Sequence, residues 1–311
     1  MKISALAPAE VARRLRQTGI VFRIGPVTAH LRSPVPAVAE GLCRLYADYP
    51  LEESGGFADF HVAIGPPPNL RRWIRPQAVF SFDGHTPFRP LPLEQAFPMF
   101  EWSLNWCVAS CCNQYLILHA AVVEKGGLAA ILPGPPGAGK STLCAALVNR
   151  GWRLLSDELT LVSMGDAGLV PIPRPVNLKN DSIEIIRRFA PGAVLGRTSH
   201  DTQKGSVAHM KPPADSVERA DELARPAWVI FPRYEKGATA TLQPRSKAQT
   251  FIYAAENSFN YSYLGAQGFD TLGRLMDACD CYDFSYSSLD EAVATFDGLG
   301  PPAETGIQSH A

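Results

Sequence analysis

Apolar and polar side chains alternate along several short segments near the start of the chain, which is the pattern of half-buried β-strands. These segments are residues 21–25, 27–31, 57–64 and 78–82. A helix is predicted from Pro34 through Leu45, because apolar residues recur there at helical spacing. The pattern therefore predicts a small β-rich or α+β domain over residues 1–94.

A second domain is predicted over residues 95–298, and its first element is a helix. Apolar residues recur at helical spacing between residues 95 and 113. Pro98 fits only the first turn of such a helix, so the helix should begin near Gln95. This helix is expected to connect the two domains.

The centre of the second domain alternates strands and helices, which predicts the α/β (α+β) class. The predicted elements are a strand at 115–123, a hairpin turn at 124–127, a returning strand at 128–132, a helix at 140–150 and a strand at 153–162. Gly151 is a suitable left-handed end for the helix. Capping-box spacing at Asp181 and at Ser288 predicts two further helix starts.

Two segments lack the pattern of a regular element. Residues 196–213 are polar, basic and poor in apolar side chains, so a long loop is predicted there. Residues 299–311 are rich in proline and glycine at their start, and a disordered tail is predicted.

Composition narrows the functional classes. The chain of 311 residues has 29 basic and 30 acidic residues and a net charge of -1, which provides no field for attracting nucleic acid. An odd number of cysteines, seven, indicates a reducing cytoplasm rather than a disulfide framework. No apolar run approaches the ~18 residues of a membrane span, and the first residues do not resemble a signal peptide. A cytoplasmic protein is therefore predicted.

The most specific motif lies between the strand at 128–132 and the helix at 140–150. Gly134, Gly139, Lys140 and Ser141 satisfy the pattern G-x-x-x-x-G-K-[ST] of a phosphate-binding loop. Glycines let successive backbone N–H groups point inward as an anion cradle, and the following helix adds its positive end. The alternative, a glycine-rich turn with a chance lysine, is disfavoured by the strand before it and the helix after it. The predicted nucleotide-binding residues are Gly134, Pro135, Pro136, Gly137, Ala138, Gly139, Lys140, Ser141 and Thr142.

Three further side chains are candidates for the same site. Asp157 and Glu158 are adjacent acids inside an apolar strand, and such burial is costly unless a metal ion lies beside them. The alternative is an exposed strand end. His119 lies in the strand that precedes the loop, 15 residues ahead of Gly134, and its alternative role is that of a structural core histidine.

These residues together resemble the HPr kinase/phosphorylase family. The resemblance covers about residues 115–161, and it includes His119, the hairpin, the phosphate loop and the acid pair. Residues 173–179, 203–213, 231–234 and 256–261 further resemble a branch of HPr-kinase-related proteins, the HPr-kinase-related kinase A type. The family has a fold like that of phosphoenolpyruvate carboxykinase and phosphorylates a serine on a small carrier protein.

The resemblance implies ATP and Mg²⁺ as cofactors and a division of roles. Asp157, with Ser141, would bind Mg²⁺, whereas Glu158 would act on the acceptor hydroxyl and Lys140 would contact phosphate. His119 would tune the carboxylate or touch a phosphate. The family has two aspartates where this chain has Asp157 and Glu158, and a serine-containing loop is common in it where this chain reads Pro-Pro-Gly-Ala. The glycine-rich signature of the phosphorylase reaction is not found, so the kinase direction carries over better.

The remaining expectations concern Lys204, the acceptor and the rival functions. Lys204 lies in a basic segment that would close over the triphosphate; the alternative is a solvated basic loop. The acceptor is expected to be a peptide, a small protein or a small-molecule hydroxyl, with the N-terminal domain as a place for substrate recognition, and a homo-oligomer is allowed. Rival functions are an NTPase switch, a nucleotide-binding scaffold, and carboxykinase-like chemistry, whose manganese site and dicarboxylate pocket the sequence does not reveal.

Overall fold

The computed structural model describes residues 1–52 and 56–302, and it has a mixed α/β fold, as predicted. The helices are α1 (Pro8–Arg16), α2 (Pro36–Leu45), α3 (Ala96–Cys111), α4 (Lys140–Val148), α5 (Asp181–Phe189), α6 (Ala214–Glu218), α7 (Lys247–Glu256), α8 (Tyr261–Leu264), α9 (Ala266–Ala278) and α10 (Leu289–Asp297). Most of the predicted tail, residues 303–311, lies outside the described residues.

The strands are distributed along the chain from residue 20 to residue 286. They are β1 (Ile20–Ile24), β2 (Val27–Arg32), β3 (Phe60–Gly65), β4 (Gln77–Phe82), β5 (Leu91–Pro92), β6 (Tyr115–Leu118), β7 (Ala120–Lys125), β8 (Leu128–Pro133), β9 (Arg153–Ser156), β10 (Thr160–Ser163), β11 (Leu169–Val170), β12 (Val176–Lys179), β13 (Ser199–Thr202), β14 (Gly205–Met210), β15 (Arg225–Tyr234), β16 (Thr241–Pro244) and β17 (Asp280–Tyr286).

The chain divides into two compact units. Unit 1 consists of residues 1–108 and 172–221, and unit 2 consists of residues 109–171 and the chain from residue 222 onward. Within the described ranges no helix combines the length and the apolar character needed to cross a membrane.

Unit 1 contains two sheets, with strand orders β1-β2-β3-β4-β5 and β12-β14-β13. The predicted loop over residues 196–213 is wrong, because β13 and β14 form an antiparallel hairpin there. Val207 and Met210 are buried, and Gly205 adopts φ +80° at the turn. Asn180 stabilises the turn, since its side-chain oxygen accepts a hydrogen bond from the Ser206 N–H at 3.1 Å.

Unit 2 is built on a central sheet with the strand order β16-β17-β15-β8-β7-β9. β8 runs parallel to β15, and β7 runs antiparallel to both β8 and β9. The predicted hairpin is confirmed, since Lys125 pairs with Leu128 across a turn in which Gly126 and Gly127 have φ values of 62° and 84°. A small sheet with the order β11-β10-β6 completes the unit.

Two predicted strands are each broken in the structure. The strand predicted at 115–123 is interrupted at His119, and the strand predicted at 153–162 is interrupted at residues 157–159. On either side of the breaks, β7 pairs with β9 in the central sheet, whereas β6 pairs with β10 in the small sheet. Both segments therefore leave one sheet and enter the other side by side.

The two predicted helix caps have different outcomes in the structure. Ser288 caps α10 as predicted, because its hydroxyl oxygen accepts a hydrogen bond from the Glu291 N–H at 3.4 Å. Asp181 is not a cap, since α5 begins one residue earlier than predicted and Asn180 precedes it with φ +50°. Asp181 instead places its negative charge in the first turn, where it interacts favourably with the positive end of the helix dipole.

Candidate active site

The predicted phosphate loop connects β8, which ends at Pro133, to α4, which begins at Lys140. Gly134, Gly137 and Gly139 all have positive φ values, of 147°, 88° and 93°. Residues with a side chain rarely adopt this backbone conformation, so glycine is required at these three positions. At Gly139 space is limited as well, because an added Cβ would lie 2.8 Å from the Tyr286 hydroxyl oxygen.

The Lys140 side chain folds back over the loop that precedes it. Its amine donates a hydrogen bond to the Gly134 carbonyl oxygen and another to the Pro135 carbonyl oxygen, the latter at 3.1 Å. The positive charge therefore lies on the loop backbone itself. A phosphate bound at the loop would compete for these hydrogen bonds, and a charged oxygen is the stronger acceptor.

The start of α4 gives the loop a positive end. Its first intrahelical bond runs from the Leu143 N–H to the Gly139 carbonyl at 2.9 Å, so the earlier N–H groups point out of the helix end. Ser141 and Thr142 occupy this first turn and are half-buried. The arrangement suits an anion, because the helix dipole and the outward N–H groups act together.

The acid pair lies in the bend between β9 and β10. Asp157 is only 6% exposed, which opposes the alternative of an exposed strand end, and Glu158 is half-buried. Ser156 ends β9, because its hydroxyl oxygen accepts a hydrogen bond from the Leu159 N–H at 3.1 Å. The pKa of the Cys144 thiol in α4 is raised well above its usual value by burial and by the charge of Asp157. This carboxylate is therefore close to the helix that follows the phosphate loop.

Strand register brings the loop, the acids and the histidine to one edge of the central sheet. Ala120, the first residue of β7, pairs with Pro133, the last residue of β8. Val122 pairs with Ser156, the last residue of β9. The residues just beyond these strand ends are His119, Gly134 and Asp157, so all three lie at the same edge.

The chain after α7 holds His119 in place. The His119 N–H donates to the Asn257 carbonyl at 3.0 Å, and the half-buried imidazole packs against Phe259 with ring centroids 5.8 Å apart. Asn260 is buried, and its side chain accepts from the Ile117 N–H at 2.9 Å and donates to the Tyr115 carbonyl at 2.8 Å. Asn260 thus fixes β6, the strand that leads to His119.

An apolar cleft opens beside the histidine within unit 2. It is lined by Leu118, His119, Ala120, Ile131, Pro133, Val229, Tyr253, Ala254, Asn257, Leu275 and Met276. Two of these, Ala120 and Pro133, are the register partners at the phosphate-loop edge. Apolar walls beside charged groups lower the local dielectric and strengthen their electrostatic interactions.

Comparison with known proteins agrees with the resemblance expected from the sequence. No protein-family model matches the chain. The HPr kinase/phosphorylase of Lactobacillus acidophilus is 33% identical over 88 residues, which are 26% of this chain and 27% of the relative. Part of the chain is therefore similar to HPr kinase/phosphorylase. The match spans about a quarter of the relative's length.

Among solved structures, the HPr(Ser) kinase/phosphatase from Coxiella burnetii is similar at a TM-score of 0.25 and 12% identity. That similarity covers 58% of this chain and 95% of the other. The carboxykinase-like form of the fold and the kinase A type branch therefore stay predictions.

The structure shows the surroundings of one departure from the HPr kinase/phosphorylase pattern, which is the glutamate at position 158 beside Asp157. Strand alternation would have forced Asp157 and Glu158 to opposite faces, but the break between β9 and β10 removes that constraint. The two acids differ instead in burial, with the aspartate more enclosed than the glutamate. A longer, less buried carboxylate at the second position has the reach for a group outside the loop.

Two tyrosines near the loop were not predicted as site residues. Tyr234 ends β15 and Tyr286 ends β17, and they pair in register with rings 6.0 Å apart. Burial raises the pKa of Tyr286 well above its usual range, so its hydroxyl stays protonated beside Gly139. The available signal was positional, since both lie at the carboxyl ends of strands that run parallel to β8.

Lys204 does not belong to the same unit as the other predicted residues. It lies in the exposed turn between β13 and β14 in unit 1, whereas the phosphate loop, the acids and His119 belong to unit 2. Within the described part of the chain, no three His, Cys, Asp or Glu side chains form a ready metal site. A magnesium ion at Ser141 and Asp157 would therefore take its other ligands from nucleotide and water.

Proposed function

We propose that the chain is an ATP- and Mg²⁺-dependent kinase that transfers the γ-phosphoryl group to a hydroxyl, a serine of a peptide or small protein. The observation that carries the proposal is the convergence of His119, Gly134 and Asp157 at one edge of the central sheet of unit 2. Phosphoryl transfer depends on positioning and charge stabilisation, and this edge provides both. The similarity of part of the chain to HPr kinase/phosphorylase supports the same reaction class.

In this proposal the loop and its lysine hold the triphosphate. The three glycines leave the loop backbone open for close approach, and α4 directs its positive end toward the phosphates. Lys140 exchanges its bonds to Gly134 and Pro135 for phosphate oxygens and so stabilises the charge that develops during transfer.

The two acids divide the remaining work. Ser141 and Asp157 would hold the magnesium ion, which would neutralise charge on the triphosphate. Glu158 orients the acceptor hydroxyl and accepts its proton, since it is the more exposed of the two carboxylates. His119 lies at the same edge and tunes this carboxylate.

The decisive experiment follows labelled phosphate from γ-labelled ATP in a single turnover, with serine peptides, small proteins and small-molecule alcohols as acceptors. Lys140→Ala should lower transfer by about 10³-fold, because it removes a donor to the transferring group. Lys125→Ala is the matched control, since Lys125 lies at the opposite end of the same sheet and pairs with Asp297 at 2.8 Å.

Two rival functions give distinct results in the same assay. Phosphate release at an equal rate with and without every acceptor would indicate an NTPase switch. Tight ATP binding without magnesium-dependent turnover would indicate a nucleotide-binding scaffold. Full activity in a folded Lys140→Ala protein would remove this loop as the working site.

A further inference from the structure

We propose that residues 66–76 of unit 1, here named the arginine–tryptophan loop, bind the surface of an anionic membrane. The loop connects β3 to β4 and is independent of the proposed kinase site, which belongs to unit 2. Three large apolar side chains are exposed on it: Leu70 at 69%, Trp73 at 69% and Ile74 at 62%. Exposed apolar side chains gathered in one short segment mark an interaction site.

The loop presents these side chains from a hydrogen-bonded turn. Residues Leu70–Arg72 form a 3-10 turn, and the Asn69 side chain accepts a hydrogen bond from the Arg71 N–H at 2.9 Å. The Trp73 and Ile74 N–H groups both donate to the Leu70 carbonyl, at 3.1 and 2.9 Å. The exposed side chains are therefore held on a formed backbone, which reduces the entropy lost when they bind.

The charge of the loop defines the partner. Arg71, Arg72 and Arg75 are exposed, and the sequence contains no acidic residue between Asp59 and Asp83. No carboxylate within residues 1–52 and 56–302 forms an ion pair with these three guanidinium groups. The whole chain carries a net charge of -1, so the positive charge is local to this surface. A negatively charged partner is complementary to it.

The apolar component favours a lipid surface among negatively charged partners. Nucleic acid would use the tryptophan for stacking, but it offers nothing to the aliphatic Leu70 and Ile74. A protein partner would need about 800 Å² of contact, or roughly 20–30 residues, on each side, which is more than residues 66–76 contain. A bilayer interface accepts a small protrusion, because apolar side chains enter the acyl boundary, tryptophan occupies the headgroup level, and arginines contact anionic lipids.

The geometry of one pair fits this arrangement. The Arg72 guanidinium lies over the Trp73 ring, 5.0 Å from its centroid. Stacking of this kind keeps the cation beside the aromatic ring at the depth where headgroup phosphates lie. The same loop thus presents an apolar contact and a cationic contact at adjacent positions.

The test is co-sedimentation of the full chain with vesicles. Binding is expected to phosphatidylcholine vesicles that contain phosphatidylserine and not to phosphatidylcholine alone. Raising the salt from about 0.1 M to about 1 M shortens the Debye length from ~10 Å to ~3 Å and should release the protein. Arg71→Gln with Arg72→Gln should weaken binding about 25-fold, since each cation near the surface contributes about fivefold.

A second variant removes two of the three exposed apolar side chains without changing the charge. Trp73→Ser with Ile74→Ser should weaken vesicle binding by at least about tenfold. The matched control is Ile252→Ser with Tyr263→Ser, which removes one aliphatic and one aromatic side chain, 58% and 78% exposed, from unit 2. This control should bind as the unmodified chain does, and circular dichroism melting should show that all variants fold.

Three outcomes would overturn the proposal. The first is no binding to phosphatidylserine vesicles by the folded chain, including the case in which the loop instead mediates self-association or binding to an acidic peptide. The second is equal binding to charged and uncharged vesicles. The third is equal binding by the loop variants and the unmodified chain.

Discussion

The two ends of strands β7, β8 and β9 carry similar charged side chains and use them differently. At the hairpin end, Glu124 and Arg153 are only 2% and 3% exposed, and they form an ion pair with each other. At the loop end, Lys140 lies on the carbonyls of its own loop, and Asp157 and Glu158 lie in a bend. One sheet thus has a closed end, where charged groups pair with each other, and an end that carries the proposed phosphate site.

The hairpin end shows how a buried charge is made stable. One Glu124 oxygen accepts from the Arg153 Nε at 2.5 Å, and the other accepts from the Gly127 N–H at 2.5 Å. The partners belong to the chain itself, so no ligand is needed to hold the carboxylate. At the loop end, in contrast, the Lys140 amine donates to two backbone carbonyls of its own loop, and a bound phosphate would be the stronger acceptor.

The largest effect that separates the two ends is expected at Glu158. Glu158→Gln should leave ATP affinity nearly intact and lower the single-turnover rate by ~10²–10⁴, because a positioned base is lost. Asp157→Asn should weaken both magnesium dependence and nucleotide binding, because a metal ligand is lost. Calorimetry measures the affinities, and label transfer measures the rates.

These paired variants distinguish the roles of the two acids. If Glu158→Gln loses nucleotide binding and Asp157→Asn does not, the roles are reversed. If neither variant changes the rate, the kinase proposal fails and the scaffold takes its place.

The next effect concerns stability at the hairpin end. Arg153→Met should lower the free energy of unfolding by about 3–5 kcal/mol, because it leaves the Glu124 carboxylate buried without its arginine. The rate per folded molecule should not change, since Arg153 begins the strand and Ser156 ends it at the edge that carries the proposed site. Urea unfolding and single-turnover transfer measure the two quantities.

The double variant Glu124→Gln, Arg153→Met is the control for that prediction. It should recover part of the lost stability, because a neutral amide is less costly to bury than a carboxylate. A loss of nucleotide affinity in either variant would mean that the two ends are not independent.

A smaller effect is expected at Asn260, which supports the loop end from a distance in sequence. Asn260→Ala should cost about 1–3 kcal/mol of stability, because it leaves the Ile117 N–H and the Tyr115 carbonyl without their side-chain partner. It should also reduce kcat more than it changes the KM for ATP, since it acts through His119. Asn260→Ser should behave as Asn260→Ala does if the length of the asparagine side chain is essential for these hydrogen bonds. A fall in stability with kcat unchanged would limit Asn260 to a structural role.

How much of the fold and of the candidate site could be predicted from the sequence depends on whether the interactions are local or distant along the chain. The hairpin and the loop between β8 and α4 lie where they were predicted, because their signals are local: glycine positions, a lysine and two flanking apolar segments. The breaks at His119 and at residues 157–159 were missed, because they depend on which strands pair in the two sheets. The Asn260 contact joins residues 143 positions apart, and nothing local in the sequence marks it.

The hairpin of β13 and β14 was missed for a different reason. Its segment looks polar and basic, yet Val207, Ala208, His209 and Met210 are buried in succession. Buried polar residues such as this histidine break the alternation that normally reveals a strand. Its partner strand β12 supplies the context, and that pairing is not local in sequence.

The smallest predicted effect tests the closed end by pH. Asp297 accepts hydrogen bonds from Lys125, the last residue of β7, and from the Trp152 indole, both at 2.8 Å. These bonds, with that of Lys125 the larger cause, lower the carboxyl pKa below its usual value of 3.8. A lowered pKa in the folded state means that the stabilisation is complete above the unfolded pKa and is lost as the pH falls through the folded value.

Asp297→Asn measures this contribution directly. The carboxylate is 41% exposed, so solvent screening limits its contribution to below about 1 kcal/mol. We expect Asp297→Asn to lower the Tm slightly at pH 7, and we expect this difference to shrink as the pH falls below 3.8 and the aspartate loses its charge. Because asparagine still accepts the Trp152 hydrogen bond, the pH-dependent part reports the ion pair with Lys125. An equal Tm difference at pH 7 and below pH 3.8 would show that shape and not charge closes this end of the sheet.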